Sequence, residues 1–232
     1  MSPMTPRRTV LVTGASSGIG RATALRFAAD GFDVCVNARR AERLQELVAQ
    51  FPAGEHLVCP GDYSEGTVVA EMERTVKKRW GRLDALVNCA GVFVASDAID
   101  SPLDEWRRPF DVMVDGAVRV TRMAAPLLSA GGCIVHITSI HGDRAEARSS
   151  AYAMAKAALE RLRAAPPAPE AVARLAAMPL DMFAQEGRPL EVRVECWPET
   201  LWFVPDLRHA QARSREGIAR TRIWTASELI AL

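Results

Sequence analysis

A glycine-punctuated phrase, Thr13-Gly14-Ala15-Ser16-Ser17-Gly18-Ile19-Gly20, joins a short apolar run to a helical pattern near the start of the chain. Few folds accept that order. A strand that turns directly into a helix needs glycine where the backbone bends tightly and where helix and strand meet closely. In this reading Gly14 makes the tight turn, Gly18 allows close backbone approach, and Gly20 lets the helix pack on the sheet. The first turn of such a helix carries unpaired N–H groups, a natural seat for a phosphate. Ser16, Ser17 and Ile19 complete the loop.

The same alternation continues downstream. Thr9–Thr13 is the first strand and Gly18–Ala29 the first helix, closed by Gly31. Asp33–Ala38 is a second strand, followed by a helix through Glu-Arg-Leu-Gln-Glu-Leu (42–47). His56–Cys59, a helix over Glu65–Trp80, Leu83–Cys89, a long helix over roughly Leu103–Leu128, and a strand Cys133–Thr138 follow. Near-continuous apolar strands separated by helices predict an α/β fold, a doubly wound parallel sheet of Rossmann type covered on both faces. Right-handed crossovers put ligands at the carboxyl ends of its strands.

After about Arg163 the texture changes. Ala164-Ala-Pro-Pro-Ala-Pro169 breaks helices, and the region beyond it holds no lysine and three of the five tryptophans, Trp197, Trp202 and Trp224. The pattern there predicts a helix over Glu170–Ala177 and strands over Leu190–Cys196 and Thr200–Val204. A helix over Leu207–Glu216, a short strand near Ile223 and a capped final helix from Thr225 follow. Two units are therefore expected: 1–163, binding a dinucleotide and carrying the chemistry, and 164–232, a small divergent or foreign α/β segment packed on it.

A second phrase completes the picture. Ser139 is followed thirteen residues later by Tyr152-Ala-Met-Ala-Lys156. A free phenol titrates near ~10 and is a poor proton donor at neutral pH, but a nearby ammonium stabilises the phenolate. Positions i and i+4 share a helix face, which brings Tyr152 and Lys156 together. Together with the glycine phrase, this resembles the short-chain dehydrogenase/reductase family over about residues 7–163. Gly61-Asp62-Tyr63 and Asn88-Cys89-Ala90-Gly91 add two further matches in the correct order.

The resemblance implies hydride transfer between a nicotinamide cofactor and a carbonyl or alcohol. Tyr152 is then the proton donor, with Lys156 activating it and holding the cofactor ribose, while Ser139 orients the carbonyl. It implies Asp62 against the adenine amine, Tyr63 beside it, Ala90 and Gly91 at the backbone approach, and Asn88 bracing the sheet. Where sites that take NAD usually carry a carboxylate, the second strand runs into Arg39-Arg40. Arginine grips a 2′-phosphate through paired charged bonds, so NADP is the expected cofactor and NAD the lesser one.

Two departures are visible. The helix position that often holds a relay asparagine falls on Met113, which is no useful donor or acceptor, and Asp115 should face elsewhere on the helix. The Pro-Gly turn that follows the sixth strand has no clear counterpart, since Trp197-Pro198 is followed by Glu199. The competing class is a nucleotide-binding or regulatory protein that kept the cleft and lost turnover, or a fusion product with a truncated domain. Met113 and the missing turn favour that class, and the intact Ser-Tyr-Lys set favours the enzyme.

Other features mostly exclude. A net charge of +1 gives no reason to expect nucleic acid or a membrane surface. Cysteines 35, 59, 89, 133 and 196 lie singly and read as small core residues in a reducing compartment, so a cytoplasmic location is expected. No His/Cys spacing suggests a metal. His136 reads as a core residue and His141 as a candidate for the substrate side. A homo-oligomer, dimer or tetramer, is what the family implies.

Overall fold

The computed structural model describes residues 6–143 and 146–162, and three strands further on. Strands β1 (Thr9–Thr13), β2 (Asp33–Ala38), β3 (Leu57–Pro60), β4 (Leu83–Asn88) and β5 (Leu128–His136) form one parallel sheet in the order β3-β2-β1-β4-β5. Helices α1 (Gly18–Ala29), α2 (Ala41–Val48), α3 (Gly66–Arg79), α4 (Leu103–Phe110), α5 (Gly116–Ala124) and α6 (Ser150–Arg161) alternate with them. The order reverses between β1 and β4, which opens a crevice at the strands' carboxyl ends.

Every residue of β1 and β2 is buried, as expected of strands covered on both faces. Their period of two divides the core. Val10, Val12, Val34 and Val36 meet Phe27, Leu44 and Leu47 on the α1–α2 side. Leu11, Cys35 and Leu86 meet Met72, Val76, Val120 and Ala155 on the other.

Two expectations need correction. The single long helix over Leu103–Leu128 is instead α4, a π-helical turn at Asp111–Asp115, α5 and a 3-10 turn at Ala125–Leu127. Pro109 sits inside α4, where it cannot donate to the carbonyl four residues back and crowds it; the wider turn begins two residues later. The fifth strand begins five residues earlier than the pattern suggests, at Leu128, and ends at His136. Leu83 pairs with Leu128 and Ala85 with Cys133, so the glycines at 131 and 132 sit in a bulge rather than a turn. The Ser129 hydroxyl donates to Asp84 Oδ1 at 2.7 Å beside it.

Beyond 162, the strands β6 (Val192–Glu195), β7 (Thr200–Phe203) and β8 (Thr221–Trp224) form a second sheet. β6 and β7 run antiparallel, β7 and β8 parallel. They fall within the expected strands at Leu190–Cys196 and Thr200–Val204 and around Ile223. The expected helices over Glu170–Ala177, over Leu207–Glu216 and after Thr225, and Trp197-Pro198, lie outside the described residues.

Candidate active site

A cleft of about 500 Å³ runs along the carboxyl edge of the sheet. The glycine loop forms one wall. Gly14 has φ +68°, and a Cβ there would lie 2.6 Å from Ala90 Cα. A Cβ on Gly20 would lie 2.4 Å from the Gly14 carbonyl oxygen, so the α1 backbone rests directly on the loop. Thr13 Oγ1 accepts from the backbone N–H groups of Cys89 (3.1 Å) and Ala90 (3.2 Å), which locks the β1 and β4 loops together.

The next wall is cationic. Arg39 and Arg40 leave β2 exposed on the cleft. Arg40 Nη2 donates to the hydroxyls of Ser16 (3.1 Å) and Ser17 (3.4 Å) at the start of α1. Arg39 has no ion-pair or hydrogen-bond partner among the described residues. Asp62 lies at the end of β3; its Oδ1 accepts from the N–H (3.1 Å) and hydroxyl (2.6 Å) of Ser64, and its Oδ2 from Arg108 Nη2 (2.8 Å). Tyr63 turns inward: its phenol donates to the Val112 carbonyl, and its ring fills the space that a Cβ on Gly116 would need. Burial raises that phenol's pKa above its ordinary value.

Asn88 is buried, donates to Thr121 Oγ1 at 3.2 Å and lies 3.2 Å from His136 Nδ1, which ties β4 to α5 and β5. Ile19, Ala90 and Gly91 line the cleft. Ser139, Tyr152 and Lys156 all line the same cleft. The Ser139 Oγ accepts from the His141 N–H at 3.2 Å. Tyr152 and Lys156 share one face of α6, with the Lys156 Nζ 5.8 Å from the phenol ring's centre. Lys156 is buried and donates to the Ile137 carbonyl at 2.6 Å. Burial pushes its amine down to about 8, against the opposing pull of Cys89 and Glu160. Burial raises the Cys89 thiol to about 12, and Lys156 tempers that rise.

The tyrosine ring stands between two others, Phe93 at 5.3 Å and His141 at 5.7 Å, both edge-on. Ser150 holds the start of α6 to the β4 loop through its N–H and hydroxyl, both donating to the Ser96 carbonyl. Met113 is fully buried and Asp115 exposed; a Cβ on Gly91 would lie 3.5 Å from Met113 Sδ and 3.8 Å from Lys156 Nζ. A thioether and the lysine ammonium thus both border Gly91. Arg108 and Phe93 escaped sequence reading. The first looks like an ordinary cation in a helix's last turn, and the second like a loop hydrophobe.

Among the described residues, no His/Cys/Asp/Glu group is arranged to hold a metal, and no helix is long and apolar enough to cross a membrane. The glycine cradle, unpaired arginine and helix N-terminus suit a phosphate-bearing dinucleotide.

Comparison with known proteins agrees. A family model described as short chain dehydrogenase matches residues 8–167. Meso-2,3-butanediol dehydrogenase of Serratia marcescens is 35% identical over 156 residues, covering 67% of this chain and 62% of that protein. The (5R,7aS)-5-hydroxy-7a-methyl-1-oxo-2,3,5,6,7,7a-hexahydro-1H-indene-carboxyl-CoA reductase of Mycobacterium tuberculosis is 38% identical over 161 residues, covering 66% and 61%. The crystal structure of a short-chain dehydrogenase from Streptomyces avermitilis superposes with a TM-score of 0.64 at 37% identity, covering 68% of this chain and 58% of that one. The chain thus spans less than two thirds of the length of each of these three. With this sheet order, this glycine loop and these matches, the chain belongs to the short-chain dehydrogenase/reductase family of oxidoreductases.

Proposed function

We propose that this protein is an NADP-dependent oxidoreductase interconverting a carbonyl and an alcohol. The observation that carries the reading is that one cleft is lined by Ser139, Tyr152 and Lys156 and also by the glycine cradle with Arg39 and Arg40. Gly14, Ser16, Ser17, Gly18, Ile19 and Gly20 would hold the pyrophosphate, Arg39 and Arg40 the 2′-phosphate, and Asp62 with Ala90 and Gly91 the remaining nucleotide. Tyr63 and Asn88 support that wall from behind. A bound nicotinamide supplies or accepts the hydride.

The chain's own residues then handle the proton and the orientation. The Ser139 hydroxyl donates to the substrate carbonyl, and Tyr152 Oη delivers the proton to the oxygen as it becomes an alkoxide. Lys156, as the ammonium that predominates below about 8, stabilises the negative charge left on the phenol. Phe93 and Ile140, both more than half or half exposed at the cleft, make the substrate wall apolar. Among the described residues Cys35, Cys59, Cys89 and Cys133 form no disulfide, in keeping with a reducing, cytoplasmic setting.

Incubation with NADPH and a panel of aldehydes and ketones tests the reading. Carbonyl-dependent loss of reduced cofactor is expected, with NADPH bound more tightly than NADH. Arg39→Ala should cost roughly 1.5–3 kcal/mol of NADPH affinity, the range for a charged hydrogen bond, and little with NADH. Tight NADPH binding without turnover of any carbonyl would instead favour a regulatory nucleotide-binding protein, the role that Met113 at the relay position suits.

A further inference from the structure

One wall of the cleft carries a cation that the roles above do not use. Arg108, in the last turn of α4, gives Nη2 to Asp62 Oδ2 at 2.8 Å. The other Asp62 oxygen is taken twice by Ser64, so both sides of the carboxylate are occupied. Burial alone would raise that carboxyl, but Ser64 and Arg108 outweigh it and hold it below its ordinary value. The Asp62 side chain is 16% exposed and that of Arg108 37%, so the guanidinium is anchored on one edge and open to the cleft on the rest. Among the described residues its Nε and Nη1 donate to nothing. The wall beneath is preformed: the Tyr63 phenol is bonded to the Val112 carbonyl in the turn that follows α4.

We propose that Arg108 is a further nucleotide-binding residue, which closes the adenosine end of the cleft over a bound dinucleotide. This rests on the dinucleotide reading above. An arginine held by one edge keeps its planar face and remaining N–H groups for a ligand, and it loses little freedom on binding. Arg39 and Arg40 follow β2, where they distinguish a 2′-phosphate. Arg108 stands at the β3 loop and acts on the adenosine that NADPH, NADH and 5′-AMP share. Asp62 can only accept, so at this end Arg108 supplies free donors alongside the acceptor that Asp62 offers.

Binding of NADPH, NADH, 5′-AMP and nicotinamide mononucleotide to wild type, Arg108→Gln and Arg108→Lys tests the assignment, by calorimetry for the dinucleotides and saturation-transfer NMR for the fragments. Arg108→Gln is expected to weaken both dinucleotides and 5′-AMP alike, by roughly tenfold, and to leave nicotinamide mononucleotide unchanged. Arg108→Lys keeps the charge without the planar fork and is expected to bind as weakly as the Gln variant. Each variant's melting temperature serves as the folding control, and Ser64 still holds Asp62 in both. Unchanged 5′-AMP binding in Arg108→Gln, equal loss for nicotinamide mononucleotide, or full affinity in Arg108→Lys would each overturn the proposal. A wild-type protein that binds none of the four ligands would overturn the dinucleotide reading itself.

Discussion

Lys156 and His136 are both costly to charge where they are. Burial, aided by the nearby Lys156 charge, holds His136 down to about 4, from an ordinary 6.5. Its Nδ1 faces Asn88, and its buried Nε2 has no partner among the described residues. Between those two values the unfolded chain binds a proton that the native chain refuses, so stability falls as pH drops from about 6.5 towards about 4. The loss should be on the order of 2–3 kcal/mol over that window. Melting temperatures taken across it should show this acid limb in wild type and a flatter one in His136→Gln; identical limbs would show that His136 does not carry it. Lys156 acts in the same sense higher up, adding stability as pH rises from about 8 to 10.5. Residues with local signatures were legible: the Gly14–Gly20 loop, Arg39 at a strand end, and Tyr152 and Lys156 four apart on α6. Arg108 and Phe93 were not, because their partners Asp62 and Tyr152 lie 46 and 59 positions away and no short-range pattern records such a meeting.

At the scale of elements, β1 and β2 were readable to the residue because both faces are covered and their centres, Val10–Val12 and Val34–Val36, are continuously apolar. The segment from Leu103 to Leu128 was readable only as helical. Its apolar spacing conceals the π-helical turn, which follows from one proline and from packing against Tyr63. The bulge in β5 was hidden in the same way, since paired glycines suit a turn equally well. The contact between α1 and its loop is the tightest helix placement around the cleft, and it depends on one absent methyl. Gly20→Ala should force α1 off the Gly14 carbonyl, lowering stability by roughly 1–3 kcal/mol and NADPH affinity with it. A variant with wild-type melting and binding would mean that the loop yields freely, and that the cradle is less rigid than its contacts indicate.

For the molecule as a whole, the proposed division is a catalytic unit over 1–163 and a small α/β segment over 164–232 packed on it. The second sheet, β6-β7-β8, has strands of four residues each, too short to bury a core unaided. Limited proteolysis within Ala164–Pro169 is therefore expected to destabilise the remainder. Release of a stable 1–163 fragment that still binds NADPH would show instead that the segment is an independent module. The composition shift after Arg163 was plain in the sequence, but its meaning was not, because lysine content and prolines report where a unit ends rather than what it rests on.

The central claim is that one cleft brings a dinucleotide and a proton-donating tyrosine to the same carbonyl, and Tyr152→Phe isolates it. The substitution keeps the ring between Phe93 and His141 and removes only the hydroxyl. With a carbonyl that supports turnover in wild type, the rate of NADPH loss should fall roughly 10²–10⁴-fold while NADPH affinity stays within a few-fold. A Phe variant that retained most of the wild-type rate would contradict the account.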